Sequence, residues 1–343
     1  MSQANLIKIL FLADTHLGFD LALRPRIQRR RRGDDFFKNY YLALQPALNK
    51  EVDVVIHGGD LFFRCQVHPQ IVQQAFAPLL QIADLGIPIY LVPGNHERSN
   101  IPRSLFETHT FIHIFDKPRT YSLSKNGLTL AIAGFPYYKN GIRTDIKNVL
   151  AQTGYQKEQA DVRLLCMHQV VEAAQVGIQN YTFRSGEDVI QGKDFPPSFL
   201  AVLSGHIHRH QVLTKDLIGS PLGVPVLYPG SIERTSFVER NEPKGYLMIE
   251  IRWLESTRSP QISWKFHELP ARPMIVIELN DDEAMISHGL ISAIEKKISS
   301  LDPQSIVQLR LHGGDRAMNK FPVKISWLRA IAPDTMNIEI APL

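Results

Sequence analysis

The chain has 343 residues, of which 44% are apolar and 21% charged, with a formal net charge of +4; that length favours two domains over one core, and that composition excludes a disordered chain. No apolar run approaches the roughly 20 residues that a membrane-spanning helix needs, and the N-terminus lacks the basic start, apolar stretch and cleavage site of a signal peptide. The two cysteines, Cys65 and Cys166, are too few for a disulfide framework; they read as small buried apolar residues of a cytoplasmic protein.

Short apolar runs at residues 6–13, 53–57, 88–92, 128–133, 163–167, 201–204 and 245–251 predict buried strands. Two helical patterns lie among them. Phe37, Tyr40, Tyr41, Leu44, Ala47 and Leu48 form one apolar face, and Val72, Ala75, Phe76, Leu79 and Ile82 form another. Pro46 and Pro78 fall late in these patterns and are expected to kink or shorten them. Strands alternating with helices predict a layered α/β core. Near Pro270 the pattern changes. A strand (275–279), a helix (282–301), a strand (306–311), a helix-like segment and a strand (337–340) predict a second, smaller α/β unit, so the domains divide as 1–269 and 270–343.

The arginine run is the one strong local charge feature. Six arginines fall between Arg24 and Arg32, followed by Asp34 and Asp35. Such a run either tracks a phosphate backbone or is a solvated loop.

Metal-capable side chains follow the predicted strand ends. They are Asp14-Thr-His16, Gly58-Gly59-Asp60, Pro93-Gly94-Asn95-His96-Glu97, Met167-His168 and Ser204-Gly205-His206-Ile-His208. In an open α/β sheet the carboxyl ends of strands face the ligand crevice, so turns from separate strands can meet at one point. Carboxylate, imidazole and amide oxygen together suit Mn, Fe or Zn better than a thiolate-seeking metal. An extended Asp14-Thr-His16 would aim both side chains the same way, as would His206-Ile-His208. Asp60, in a glycine-flanked turn, is the natural carboxylate to bridge two ions. Any one of these clusters alone is an ordinary turn. Five, in this order after five apolar strands, form a pattern.

That series resembles the calcineurin-like metallophosphoesterases over residues 6 to about 250. The resemblance implies a four-layer α/β core of two mixed β-sheets flanked by helices. It implies that Asp14, His16, Asp60 and His208 hold one divalent cation, and that Asp60, Asn95, His168 and His206 hold the other. Mn is the expected metal, with Fe, Zn or Mg as alternatives. His96 would be no ligand but would lean toward the phosphate. Two such ions activate a water and clamp phosphate oxygens, so hydrolysis needs no covalent intermediate.

Leu12-Ala-Asp-Thr-His-Leu-Gly18, Gly59-Asp-Leu-Phe62, Tyr228-Pro-Gly-Ser-Ile-Glu-Arg234 and Lys244-Gly-Tyr246 resemble the SbcD-like branch of double-strand-break repair nucleases. That branch implies a DNA exonuclease or endonuclease whose residues 270–343 form a capping domain and whose Arg29, Arg30, Arg31 and Arg32 contact DNA. It also implies a coiled-coil ATPase on another chain, since no Gly-x-x-x-x-Gly-Lys loop occurs here, and it is compatible with a homodimer. Relatives commonly continue into a helical docking tail, of which no clear amphipathic counterpart is seen. Phe63 stands where the family usually has His or Asp, with His68 either a substitute or a solvated loop residue. A stand-alone phosphodiesterase or phosphatase on small substrates, and a DNA-end clamp with little catalysis, are the alternatives.

Overall fold

The computed structural model describes residues 5–21, 29–97, 109–280, 287–312 and 324–341. In chain order its elements are β1 (Leu6–Leu12), α1 (Arg32–Leu48), β2 (Val54–His57), α2 (Pro69–Asp84), β3 (Ile89–Leu91), β4 (Ile112–Ile114), β5 (Arg119–Lys125), β6 (Leu128–Gly134), α3 (Ile142–Thr153) and β7 (Val162–Met167). Four two-residue strands follow: β8 (Val170–Val171), β9 (Gln175–Val176), β10 (Tyr181–Thr182) and β11 (Val189–Ile190). Then come β12 (Ala201–Ser204), β13 (Gln211–Lys215), β14 (Pro221–Tyr228), β15 (Gly245–Leu254), β16 (Ser259–Glu268), β17 (Met274–Asn280), α4 (Ser287–Ser299), β18 (Ile306–His312), α5 (Ile325–Ile331) and β19 (Asn337–Ile340).

These elements form two compact units. The first holds residues Met1–Phe19, Asp35–Arg234 and Glu242–Leu269; the second holds Asp20–Asp34, Thr235–Asn241 and Pro270–Leu343. Two short segments from the N-terminal 269 residues therefore belong with the C-terminal unit.

Two six-stranded mixed sheets build the first unit, in the orders β16-β15-β1-β2-β3-β4 and β13-β14-β12-β7-β6-β5. In each, four neighbouring strands run parallel (β1 to β4; β14, β12, β7 and β6), and antiparallel strands close the sides. One core lies between the sheets, with Ile9, Phe11 and Ile56 from the first meeting Ile132, Leu164 and Leu203 from the second. The alternate residues Leu10, Leu12 and Val55 are buried too, so the first sheet is covered on both faces. Behind the second sheet, Ile142, Ile146 and Val149 of α3 pack on Leu165, Met167 and Val202. Two-sided burial explains why the parallel strands read as continuous apolar runs.

Both prolines expected to kink or shorten helices lie inside them: Pro46 in α1 and Pro78 in α2. Pro78 has no N–H to give to Gln74 O one turn back, and tyrosines from α1 donate to the carbonyls there. Tyr41 Oη donates to Gln74 O at 3.3 Å and Tyr40 Oη to Ala75 O at 2.9 Å. Cys166 is buried in the inter-sheet core as expected, whereas Cys65 is exposed, in the loop before α2.

The second unit is a parallel sheet, β17-β18-β19. Ile277, Leu279, Val307, Leu309 and Ile338 pack there with Ile294 and Ile298 of α4 and Leu328 of α5. The predicted elements at 275–279, 306–311 and 337–340 are all present; the first residues of the helix predicted from 282 lie outside the described residues. Among the described residues no helix is long and apolar enough to cross a membrane.

Candidate metal centre

All seven candidate ligands sit just past the carboxyl ends of parallel strands. Asp14 and His16 follow β1, Asp60 follows β2 and Asn95 follows β3, all in the first sheet; His168 follows β7, and His206 and His208 follow β12, in the second. The Asp14–His16 segment is not extended, contrary to the alternation expected of it. Asp14 and His16 both take left-handed backbone, φ 51° and 44°, and Asp60 (54°) and His206 (82°) do the same. The strand has already ended. Asp14 and His16 N–H donate instead to Gly59 O and Asp60 O, and this lashes the two turns together. Thr15 points inward, where its hydroxyl donates to Leu61 O and meets His57 Nε2, each at 3.0 Å. Glycine is required at two close approaches: a Cβ at Gly59 would collide with the His168 ring, and one at Gly94 with the Asp60 carboxylate.

The side chains converge as two overlapping groups. His16 Nε2 lies 2.9 Å from His208 Nε2 and 4.0 Å from an Asp60 oxygen, and His208 Nε2 lies 3.9 Å from Asp14 Oδ1. His168 Nε2 lies 2.9 Å from Asn95 Oδ1, 3.4 Å from Asp60 Oδ2 and 4.0 Å from Asp14 Oδ1. His206 Nδ1 reaches the same Asn95 oxygen at 2.8 Å. Asp14-His16-His208 and Asp14-Asp60-His168 each fit around one ion, and so does His16-Asp60-His96.

Divalent cations suit this donor set. His168 Nδ1 donates to Gly58 O at 2.8 Å, which leaves Nε2 as the lone-pair side facing Asn95 and Asp60. Acceptors then face acceptors, and something positive must lie among them. Asp14 and His16 are fully buried and Asp60 is 2% exposed, and the charged partners of both carboxylates are histidines. Burial pushes the Asp14 carboxyl up, against the pull of His168 and His208. Burial acts on Asp60 in the same sense, but His168, then His16 and His96, hold it below the usual carboxylate range. Burial would lower His168, yet Asp60 and Asp14 raise it to about 9. Burial carries His206 down to about 3 and His16 well below its ordinary value, so both present lone pairs. That raised value would place a proton on His168 Nε2, where a divalent cation would otherwise take its lone pair.

His96 stands on the rim, 33% exposed. Its N–H donates to Asp60 Oδ1 at 2.9 Å, and its Nδ1 donates to Phe63 O at 2.7 Å, which turns Nε2 to within 3.9 Å of Asp60 Oδ2. Phe63 therefore contributes a backbone oxygen, while its ring edges His16 and tilts against His96. His68 is not at the site: it caps the start of α2.

Three further residues shape the centre. Tyr137 lies beside His206, ring centroids 5.6 Å apart; it follows the end of β6, so the strand-end signal that marked the ligands applied to it too. Buried Glu97 accepts from Phe62 N at 2.8 Å and Gly94 N at 2.9 Å, joining the Asp60 and Asn95 turns. His57, buried, accepts from Gly59 N–H, and burial carries it down to about 3.

Of the arginine run, residues 24–28 lie outside the described residues. Arg29 donates to the carbonyls of Arg329, Ala332 and Pro333 at the end of α5, and Arg30 to the Gln304 side chain. Arg32 is buried. Arg31, 30% exposed, lies 3.6 Å from Asp20. Arg29 to Arg32, the described part of the run, are neither a solvated loop nor a row of four free cations.

The calcineurin-like phosphoesterase profile matches residues 7–210, and the chain belongs to that family. It is a metal-dependent phosphoester hydrolase whose centre takes divalent cations. Curated proteins similar to it include the DNA double-strand break repair protein Mre11 of Archaeoglobus fulgidus, 24% identical over 90% of this chain and 69% of that one. The protein of the same name from Methanosarcina acetivorans is 26% identical over 92% of this chain and 47% of that one. Among solved structures, a dimetal phosphatase from Danio rerio is 12% identical, covers 75% of this chain and 98% of its own, and superposes with a TM-score of 0.42.

Proposed function

We propose that this chain is a DNA nuclease of double-strand-break repair, acting as exonuclease, endonuclease or both, with Mn as its working metal. The observation that carries the reading is the reach of the similarity. It extends over about nine-tenths of the chain, well past residue 210 where the phosphoesterase profile stops, to proteins named for that repair. A likeness confined to the metal turns would favour no phosphoester over another.

When bound, two cations would activate a water and neutralise charge on the phosphate. The chain's own residues do the rest. Asp60 would be held in common by the two ions, with Asp14, His16 and His208 completing one set of ligands and Asn95, His168 and His206 the other. The Phe63 carbonyl holds His96 Nδ1, so its Nε2 meets charge developing on the phosphate or the leaving oxygen. Among the described residues of the run, the partly exposed Arg31 is assigned to non-specific backbone contact. An ATPase on a separate chain belongs to the same proposal.

The test is a side-by-side assay of the full chain under Mn on single-stranded DNA, duplex DNA and a chromogenic small diester. Metal-dependent DNA cleavage is expected. Much faster hydrolysis of small diesters or monoesters than of any DNA would replace the nuclease with a small-substrate phosphoesterase.

A further inference from the structure

Lys244 lies outside every ligand turn, yet its side chain is fully buried beside one. Its Nζ donates to the backbone carbonyl of His208 at 2.8 Å and to Glu242 Oε2 at 3.2 Å. The same carbonyl accepts from Ser231 N at 3.0 Å. The peptide that follows His208 is held from its other side as well: Arg209 pairs with Glu242 at 2.9 Å and donates to Gly177 O and Asn180 Oδ1 on the β9–β10 ribbon. A buried ammonium is costly unless it is paired and hydrogen-bonded, and Lys244 is both.

The placement has a consequence for the metal. Asp14 and His16 ride on the first sheet, whereas His208 comes from the second. Lys244 directly precedes β15, which pairs with β1 in the first sheet. Its ammonium therefore ties the backbone of a second-sheet ligand to the sheet that carries the other two. We infer that Lys244 is a positioning residue, which sets His208 against Asp14 and His16 through its backbone carbonyl so that one cation can bind all three. Residues that orient a ligand in this way typically contribute 10–100-fold to metal affinity.

The inference rests on the assignment of Asp14, His16 and His208 to one ion, and titration of the unaltered full chain with Mn(II), followed by electron paramagnetic resonance, tests that assignment by itself. Two variants then test Lys244. Lys244→Met removes the donor at similar volume. Lys244→Met with Glu242→Gln removes the Lys244–Glu242 ion pair as a unit, while the Gln amide keeps an oxygen that can accept from Arg209. In both, one of the two Mn(II) ions should bind about 10–100-fold more weakly and the other within about twofold of the unaltered chain. Unchanged affinities, equal weakening of both ions, or recovery in the double variant would overturn the inference, the last because Lys244 would then serve only to neutralise Glu242. If the single variant does not fold, the double variant decides. If neither folds, Lys244 holds the fold and not the ligand, and the inference fails. A chain that in its unaltered form binds no such pair of ions refutes the assignment instead.

Discussion

Four of the seven candidate ligands occupy left-handed backbone, a conformation that costs an ordinary residue roughly 1–3 kcal/mol and persists only where the surroundings enforce it. Here the enforcement comes from the lashing of the Asp14 and Asp60 turns, from Glu97 between Phe62 and Gly94, and from Thr15 on His57. The candidate ligands stand out in the sequence because polar metal-binding types interrupt apolar strands at their ends. The supports were not. A backbone oxygen such as that of Phe63 has no letter, and His57 reads as one more strand residue. His96 and His57 give separable predictions. His96→Ala should keep its metal and lose about 10²–10³ in turnover, the scale for one transition-state donor; a variant that loses metal instead would make His96 a ligand of the His16-Asp60 group. His57 is neutral when folded, with its value at about 3, and takes up a proton near 6.5 once unfolded. The unfolded state thus binds the extra proton, so the stability His57 contributes is present above about pH 6.5 and is lost as pH falls from there toward 3. Between pH 6.5 and 4.5 the unaltered chain should lose about 1.4 kcal/mol per pH unit more than His57→Gln. Urea unfolding across that range measures it, and parallel slopes would contradict the buried neutral imidazole.

At the level of elements, the first unit's strands that stand out in the sequence are mostly those buried on both faces, such as β2, β3, β7 and β12. Those missed are mostly edge strands. β5 and β16 alternate between partly buried and exposed residues and carry Ser, Thr and Lys on the open side, so their apolar signal is halved. The helices run on past Pro46 and Pro78, since the cost of a proline depends on what satisfies the freed carbonyl, and for Gln74 O that is Tyr41 of α1, at a place no local window contains. The arginine run shows the same limit. Charge alone left phosphate or water as its partner, whereas Arg29 closes the end of α5, where helix carbonyls lack donors and a cation complements the dipole. Arg29→Ser should destabilise the second unit by about 1.5–3 kcal/mol, the range for hydrogen bonds from a charged group. Hydrogen exchange of the α5 and β19 amides reads this out. Unchanged protection with a flatter salt dependence of DNA binding would return Arg29 to phosphate contact.

On the scale of the molecule, sequence placed a boundary near residue 270 because composition and periodicity change there. It could not show that Asp20–Asp34 and Thr235–Asn241 join the C-terminal unit, since no local pattern reports a partner some 300 residues away, as between Arg29 and Arg329. Convergence of five turns from two sheets is likewise a property of the whole fold, and the claim that depends on it is a pair of cations bridged by Asp60. The direct measurement is the number of Mn(II) ions bound per full chain, unaltered and with Asp60→Ala, at one saturating concentration and with folding verified for both. The bridged site predicts two ions on the unaltered chain and loss of both on removal of the carboxylate. Two ions retained by folded Asp60→Ala, or a single ion on the unaltered chain, would contradict it.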